Sequence, residues 1–422
     1  MKTNLFDYLT DSADAESHKF LEILKYSLRG KIHYYGDHFN YSRQSKLFFY
    51  LKNLAFLVLI FLTNLLKKKE VKKTLGISLS YFHFDEWFSN DTISIHRIFS
   101  NPRLNGQQHF FSIKLYFHYL KILFAINFRD FNYLVSKDFF KIISEYMCLL
   151  EDSISKNNYE FILLPNDTDF HSRILITIFK KLGKKTFLIA HGGMPQFYDQ
   201  LLDNGTDHVL MWGRKTCESY VSNGYHKDKF SVSGHPFYNK KPQKLLFNFD
   251  NILVLTKSVN GVVPTDEIFI EDRGNSIMYL KSIQKVLLGL GVKKARLRPH
   301  PSENYLWYSK FIDMNFFKLD REEVKASLRK ATLVIGPVST MFIDTLYSEV
   351  NYLVYEPIIN GRNLFGHPIT APMDGSDARI PIARDEKELR DILINKIKVD
   401  LDVYEDFSAS LDCGILAQLL KK

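Results

Sequence analysis

The sequence predicts an α/β protein of two Rossmann-like halves, each built on a parallel sheet and facing a central cleft. Three observations lead there. The chain has 422 residues, more than one core organises, since domains usually run to roughly 100–200 residues. Apolar residues make up 45% and charged residues 24%, the balance of a folded protein. From Tyr159 onward, short apolar runs alternate with helical stretches. That alternation marks parallel strands covered on both faces.

Taken in order, the first residues, MKTNLFDYLTDSADAES, are polar and acidic. They lack the basic start and apolar centre of a secretory signal, so the cytoplasm is the expected residence. The first ~150 residues read as mainly helical. Within them Leu47–Leu66 is LFFYLKNLAFLVLIFLTNLL, followed by KKKEVKK. Its length approaches the ~20 residues that cross a bilayer, but Lys52, Asn53 and Asn64 interrupt it. Three readings stand open: a buried helix, a helix in the membrane interface with Lys67–Lys69 at lipid phosphates, or a span. Leu75–Phe84 is an expected strand.

The pattern then sharpens. Strands are expected at Phe161–Leu164, Thr186–Ala190, His208–Trp212 and Phe230–Gly234, with helices from about His171 to Leu182 and through Tyr220. The basic, polar stretch Asn239–Asn251 reads as a linker. A second alternation follows: strands Ile252–Thr256, Ala295–Pro301, Ala331–Gly336 and Asn351–Pro357, with helices near Asn275–Leu290, Arg321–Lys330 and Thr340–Ser348. The end, Lys387–Lys422, reads as mainly helical. The expected division is residues 1–240, residues 250–400, and a helical tail over 401–422.

The net charge of +9 suits anionic partners such as nucleotides, phosphorylated lipids, nucleic acid or an acidic membrane face. The positive charge is spread out and no nucleic-acid module is recognisable, so nucleic acid is not an expected partner. Cys148, Cys217 and Cys413 lie far apart without CxxC spacing, which disfavours a disulfide scaffold or a Cys-rich zinc site. The sequence has no GxxxxGK[ST], no GxGxxG after a strand and no HExxH. P-loop ATPases, dinucleotide dehydrogenases and zincin proteases are therefore disfavoured.

Ligands of parallel α/β sheets bind beyond the carboxyl ends of the strands. Four such spots carry unusual residues: His191-Gly192-Gly193, Gly234-His235-Pro236, Arg298-Pro299-His300-Pro301 and Gly336-Pro337-Val338-Ser339-Thr340. Ser339 and Thr340 precede a helix, where hydroxyls cap the helix, hold an anion, or do both. Arg296, Arg298 and His300 alternate along an extended segment and share one face. Either a phosphate group or an internal carboxylate such as Asp320 or Glu356 answers them. His191 follows an apolar strand, and two glycines beside it admit a ligand closely. A histidine titrating near neutrality can take a proton from an attacking hydroxyl; the alternative is a strand end bonded to backbone. Asp167 and Asp169, after the preceding strand, are the reserve bases, with helix capping or metal binding as alternatives.

RPHP followed some tens of residues later by a strand–ST–helix resembles the "HP" and "S-S/T" motifs of bacterial GT-B sialyltransferases, polysialyltransferases and Kdo transferases of capsule and lipopolysaccharide assembly. The resemblance covers roughly Tyr159 to Pro357. It implies that His300, Ser339 and Thr340 hold the phosphate of a CMP-sugar, with Gly336, Arg298 and Pro301 around it. The Asp/Glu-Asp/Glu-Gly base motif of those sialyltransferases is missing. Ala190-His191-Gly192-Gly193 looks instead like the "HG" loop of capsule Kdo transferases and CDP-glycerol polyol-phosphate transferases, which implies that His191 is the base. Gly234 and His235 would lie near the cleft.

The resulting expectation is a metal-independent GT-B glycosyltransferase without a cofactor beyond its nucleotide-sugar donor. The first half would hold acceptor and base, and the second the nucleotide. The favoured donor is a CMP-activated acidic sugar, sialic-acid-like or Kdo-like, and the acceptor a surface glycan or glycolipid met at the inner face of the cytoplasmic membrane. A CDP-polyol phosphotransferase, a UDP-sugar transferase or epimerase, and a non-catalytic glycan- or nucleotide-binding scaffold are the alternatives.

Overall fold

The computed structural model describes residues 13–33, 45–65, 73–79, 84–99, 109–110, 112–190, 205–238, 240–257, 270–300, 308–359, 361–364 and 372–421. The first sheet contains β1 (Thr74–Ser78), β2 (Ile93–Ile98), β3 (His109–Phe110), β4 (Tyr159–Leu164), β5 (Lys185–Ile189), β6 (His208–Met211) and β7 (Phe230–Val232). Its strands run parallel in the order β3-β2-β1-β4-β5-β6-β7. The second half holds β8 (Ile252–Leu255), β9 (Ala295–Arg298), β10 (Phe317–Leu319), β11 (Leu333–Gly336), β12 (Tyr352–Tyr355), β13 (Ile358–Ile359), β14 (Arg362–Asn363) and β15 (Ile382–Ala383). Six of these form a parallel sheet in the order β10-β9-β8-β11-β12-β15, and β13 pairs with β14 in a small antiparallel ribbon. Both sheets start in the middle, build to one side and then cross to the other, which is the Rossmann winding. The fold is thus α/β with two Rossmann-like halves, as the alternation predicts.

Strands β8, β11 and β12 read ILVL, LVIG and YLVY and are buried at every position. A strand covered on both faces needs apolar side chains on both. The sequence left β2, β3, β10 and β15 unread. The six-residue β2, ISIHRI, carries His96 and Arg97, and β3, β10 and β15 have only two or three residues. Pairing of β2 with β1, β3 with β2, β10 with β9 and β15 with β12 supplies the order that such segments lack alone.

One face of the first sheet packs under helix Lys137–Lys156, which buries Phe139, Phe140, Ile143, Tyr146, Met147, Leu150 and Ile154. These recur at helical spacing along one stripe. Ser136 Oγ caps this helix by accepting the Phe139 N–H at 3.3 Å. On the opposite face, Phe161, Leu163, Phe187, Ile189 and Leu210 pack with Leu416 and Leu419 of the last helix, Ile415–Lys421. The chain therefore returns to the first half after completing the second.

The return is bonded to the outward crossing. Ala409 N–H donates to Trp212 O at 2.8 Å, His235 N–H to Ala409 O at 3.1 Å, and Asp412 N–H to Ser233 O at 2.8 Å. Asp406 joins Arg214 of the first half at 2.9 Å and Arg379 of the second at 2.7 Å. Leu245 and Phe247 are buried in the second half, and Leu246 N–H donates to Glu349 O at 2.7 Å. The later part of the expected linker, Asn239–Asn251, is thus packed chain rather than a free tether.

The apolar segment near Leu47–Leu66 forms helix Lys46–Leu65, with Leu66 outside the described residues. Phe49 and Ile60 are buried, but nine of its large apolar side chains are exposed. It is not a core helix. Among the described residues, no helix is long and apolar enough to cross a membrane.

Candidate functional site

In each half the winding reverses between the first strand and the fourth. In the second half that point lies between β8 and β11. Thr256 follows β8, His300 lies two residues past β9, and Gly336 to Thr340 lead out of β11. The fold therefore gathers His300, Ser339 and Thr340 along one edge of one sheet. A binding crevice is expected at this place.

Several bonds hold these exits. His300 N–H donates to Thr256 Oγ1 at 3.0 Å, tying the end of β9 to that of β8. The imidazole itself is exposed, and partial desolvation lowers its pKa below the usual value. A largely neutral ring near pH 7 offers one N–H to an anion and gains charge as pH falls. Glu356, immediately after β12, is fully buried and accepts the Val338 N–H at 2.6 Å and Asn363 Nδ2 at 2.8 Å. Lys257 Nζ lies 3.7 Å from the same carboxylate. A buried carboxylate with several partners fixes the backbone between Gly336 and Thr340. A Cβ on Gly336 would overlap the Tyr352 hydroxyl, which donates to Pro337 O at 2.6 Å.

Ser339 Oγ accepts the Met341 N–H at 3.3 Å. Thr340 makes no side-chain cap to the helix Met341–Tyr347 and is half-buried. Of the two readings for this pair, capping therefore occupies Ser339, and the Thr340 hydroxyl makes no capping bond.

The arginines resolve the other way. Arg296 Nη1 and Arg298 Nη1 lie 2.6 and 3.3 Å from the buried carboxylate of Asp320. Arg296 also reaches Asn251, Ser327 Oγ and Ser327 O, and Arg298 reaches Glu322 O at 2.8 Å. The internal partner is the one observed, so Arg298 braces the β9 exit. Pro301 lies outside the described residues.

In the first half the winding reverses between β1 and β4. Asp167 lies three residues past β4 and is 1% exposed. Asp169 caps helix Phe170–Lys181: Oδ1 accepts the N–H groups of His171 and Ser172 at 2.9 Å each, and Oδ2 the Ser172 hydroxyl at 2.6 Å. Capping is the reading the structure shows for Asp169. His191, Gly192 and Gly193 lie outside the described residues. The chain leading to them is anchored, since Trp212 Nε1 donates to Ala190 O at 2.7 Å.

Gly234 and His235 belong to the crossing between halves. Gly234 has φ +70°, and a Cβ there would overlap the Ser410 carbonyl. His235 is buried among Trp87, Trp212, Phe237 and Tyr238, with ring centroids 4.3–5.2 Å away. Burial lowers its pKa to about 4, and its Nδ1 accepts the Phe237 N–H at 3.2 Å. Tyr238 continues across to the second half, donating to Asp344 Oδ1 at 2.6 Å. The sequence reading singled out neither Thr256 nor Asp344. Thr256 carries the same signal as His191, a polar residue directly after an apolar strand; Asp344 sits inside a short helix and carries none.

Among the described residues, no group of three or more His, Cys, Asp or Glu is placed to hold a metal ion. No family model matches the chain, and no curated protein matches it in sequence. Solved structures do resemble it. The UDP-GlcNAc 2-epimerase of Methanocaldococcus jannaschii, in complex with UDP-GlcNAc and UDP, aligns at 12% identity and TM-score 0.48 over 82% of this chain and 99% of that one. MurG of Acinetobacter baumannii aligns at 10% identity and TM-score 0.44 over 83% and 99%. The wall teichoic acid polymerase TagF aligns at 13% identity and TM-score 0.41 over 89% and 98%. At these values the likeness concerns the layout of the chain and nothing finer.

Proposed function

We propose that this chain is a nucleotide-sugar-dependent glycosyltransferase of the GT-B type. It would take a CMP-activated acidic sugar, sialic-acid-like or Kdo-like, and pass the sugar to a surface glycan or glycolipid acceptor. One observation carries the reading: His300, Ser339 and Thr340, the residues of the HP and S-T motifs, follow β9 and β11, the two strands that flank β8 at the switch point of the second sheet. In this reading the His300 imidazole and the Thr340 hydroxyl face the donor phosphate, and Ser339 shapes the turn. Glu356 holds that turn rigid from behind, so the donors are preorganised before the leaving phosphate gains charge. The work would take place in the cytoplasm, at the inner membrane face where a lipid-linked acceptor is met.

The attacking hydroxyl would approach from the first half. His191 directly follows Ala190 at the carboxyl edge of β5, and we assign it as the base. Asp167 is the reserve, because Asp169 already spends both oxygens on its helix. The acceptor oxygen forms the new bond to the anomeric carbon as the bond to CMP breaks, and the proton passes to the base. A CDP-polyol phosphotransferase uses the same donor-side contacts and differs in which bond to phosphate is cleaved.

The test is a donor panel. CMP-sugars, CDP-polyols and UDP-sugars are offered and nucleotide release is followed, with CMP, CDP and UDP affinities measured by calorimetry. Turnover of a CMP-sugar is expected. His300→Ala and the Ser339→Ala/Thr340→Ala pair should each weaken CMP by about 10–150-fold, one charge-assisted contact's worth. His191→Ala should lower turnover about 10²–10⁴-fold with CMP affinity nearly unchanged. Unchanged CMP affinity in both donor-side variants would remove the site assignment. Turnover of no donor at all would leave the scaffold reading.

A further inference from the structure

We infer that helix Lys46–Leu65, with helix Ile113–Phe128 beside it, is a docking face for an anionic lipid bilayer. The inference rests on this surface alone and is independent of the donor and reaction proposed above.

The inner side of helix Lys46–Leu65 is seated on the protein. Phe49 is 4% and Ile60 1% exposed. Phe49 packs edge-on against Phe124 and Phe128 at 5.8 and 5.4 Å, and the Tyr116 hydroxyl donates to Asn53 O at 3.1 Å. The outer side carries an apolar stripe from Leu47 to Leu62. Leu47, Leu51, Leu54, Val58 and Leu62 are 42–69% exposed. Their spacing of three and four places them on one stripe. Ile113 and Phe117 extend the surface on the neighbouring helix, at 53% and 51% exposed. Exposed large apolar side chains in such number on adjoining helices mark an interaction site.

Charge selects the occupant. Neither helix contains an Asp or a Glu. Their only charged side chains are Lys46, Lys52, Lys114 and Lys121, all four exposed. A second copy of the same face would set lysine against lysine, and neither helix supplies a carboxylate to answer them. A bilayer of anionic lipids takes the apolar stripe into its acyl boundary and the ammonium groups into its phosphates. The helix, about 30 Å long, would lie along the surface, in keeping with the lack of a spanning helix among the described residues.

The experiment is vesicle flotation of the full chain in detergent-free buffer. Phosphatidylcholine vesicles are compared with mixed phosphatidylcholine–phosphatidylglycerol vesicles at low and high salt. The protein should float with the mixed vesicles, bind phosphatidylcholine alone about ten-fold or more weakly, and be released in part by salt. Leu51→Glu/Leu54→Glu/Val58→Glu should lower binding at least about ten-fold with the melting temperature kept, since these side chains face outward. Replacing the four lysines by Gln should abolish the preference for anionic lipid while keeping the fold. The proposal is overturned if the wild type stays with the soluble fraction, or if the triple variant floats like the wild type. It is equally overturned if light scattering finds a dimer that the triple variant breaks while no vesicle is bound. CMP affinity measured on the same preparations keeps this outcome separate from that of the donor site.

Discussion

Among single residues, the histidines divide by burial. His171 and His235 are enclosed by aromatic rings, and burial lowers their pKa values to about 3 and about 4. His171 Nε2 pairs with the Tyr146 hydroxyl at 2.7 Å, and both imidazoles are built into the fold as neutral groups. In the unfolded chain a histidine titrates near ~6.5. Between that value and the folded ones, the unfolded state binds protons that the native state refuses. Stability is therefore full above pH ~6.5 and falls as pH drops toward the folded pKa values, by up to about 1.4 kcal/mol per unit for each histidine. The melting temperature should fall between pH 7 and pH 5, and His235→Phe should reduce that slope whatever it does at pH 7.5. An unchanged slope would mean that His235 is not held neutral. His300, by contrast, is exposed at a strand exit, where a ligand can reach it.

At the scale of elements, the two crossing segments act as one. The outward segment Ser233–His235 and the returning segment Ser408–Asp412 bond to each other and to the end of β6. At Gly234 the returning backbone of Ala409 and Ser410 lies close. A side chain there meets both a left-handed backbone and the Ser410 carbonyl. Gly224 also has a positive φ, +94°, but nothing within 4 Å of a Cβ. Gly224→Ala should thus cost about 1–2 kcal/mol from backbone conformation alone. Gly234→Ala should cost clearly more, at least ~2 kcal/mol, because backbone must move as well. Equal losses in denaturant titrations would show that the crossing yields easily.

For the whole molecule, the order of the chain and the order of the packing differ. Residues after 401 read as a terminal tail, yet Leu416 and Leu419 are 0% and 3% exposed beneath the first sheet with Phe161 and Phe187. Deleting buried methyl groups costs the transfer energy and the cavity left behind, about 2–5 kcal/mol for each Leu→Ala. Leu416→Ala and Leu419→Ala should each lower stability by that order, and chain ending at 401 should lose most of the first half's stability. A truncated protein that melts like the full chain would show that the last helix is a removable appendage.

What the sequence determined by itself was the period of its elements and the chemistry at their ends. Runs such as ILVL and YLVY are apolar at every position, and only a doubly covered strand satisfies them. That is enough for two parallel sheets, for their approximate ends, and for the choice of His300, Ser339 and Thr340 as strand-exit residues. Only the tertiary structure decided which exits are neighbours, because strand order depends on long-range pairing that no local pattern encodes. It set β9, β8 and β11 side by side and gave Arg296 and Arg298 to Asp320, where the sequence left carboxylate and phosphate equally open. It also turned the apolar side of helix Lys46–Leu65 outward. The hydrophobic pattern shows that a helix has an apolar stripe; what that stripe meets depends on the surfaces that the rest of the fold has left uncovered.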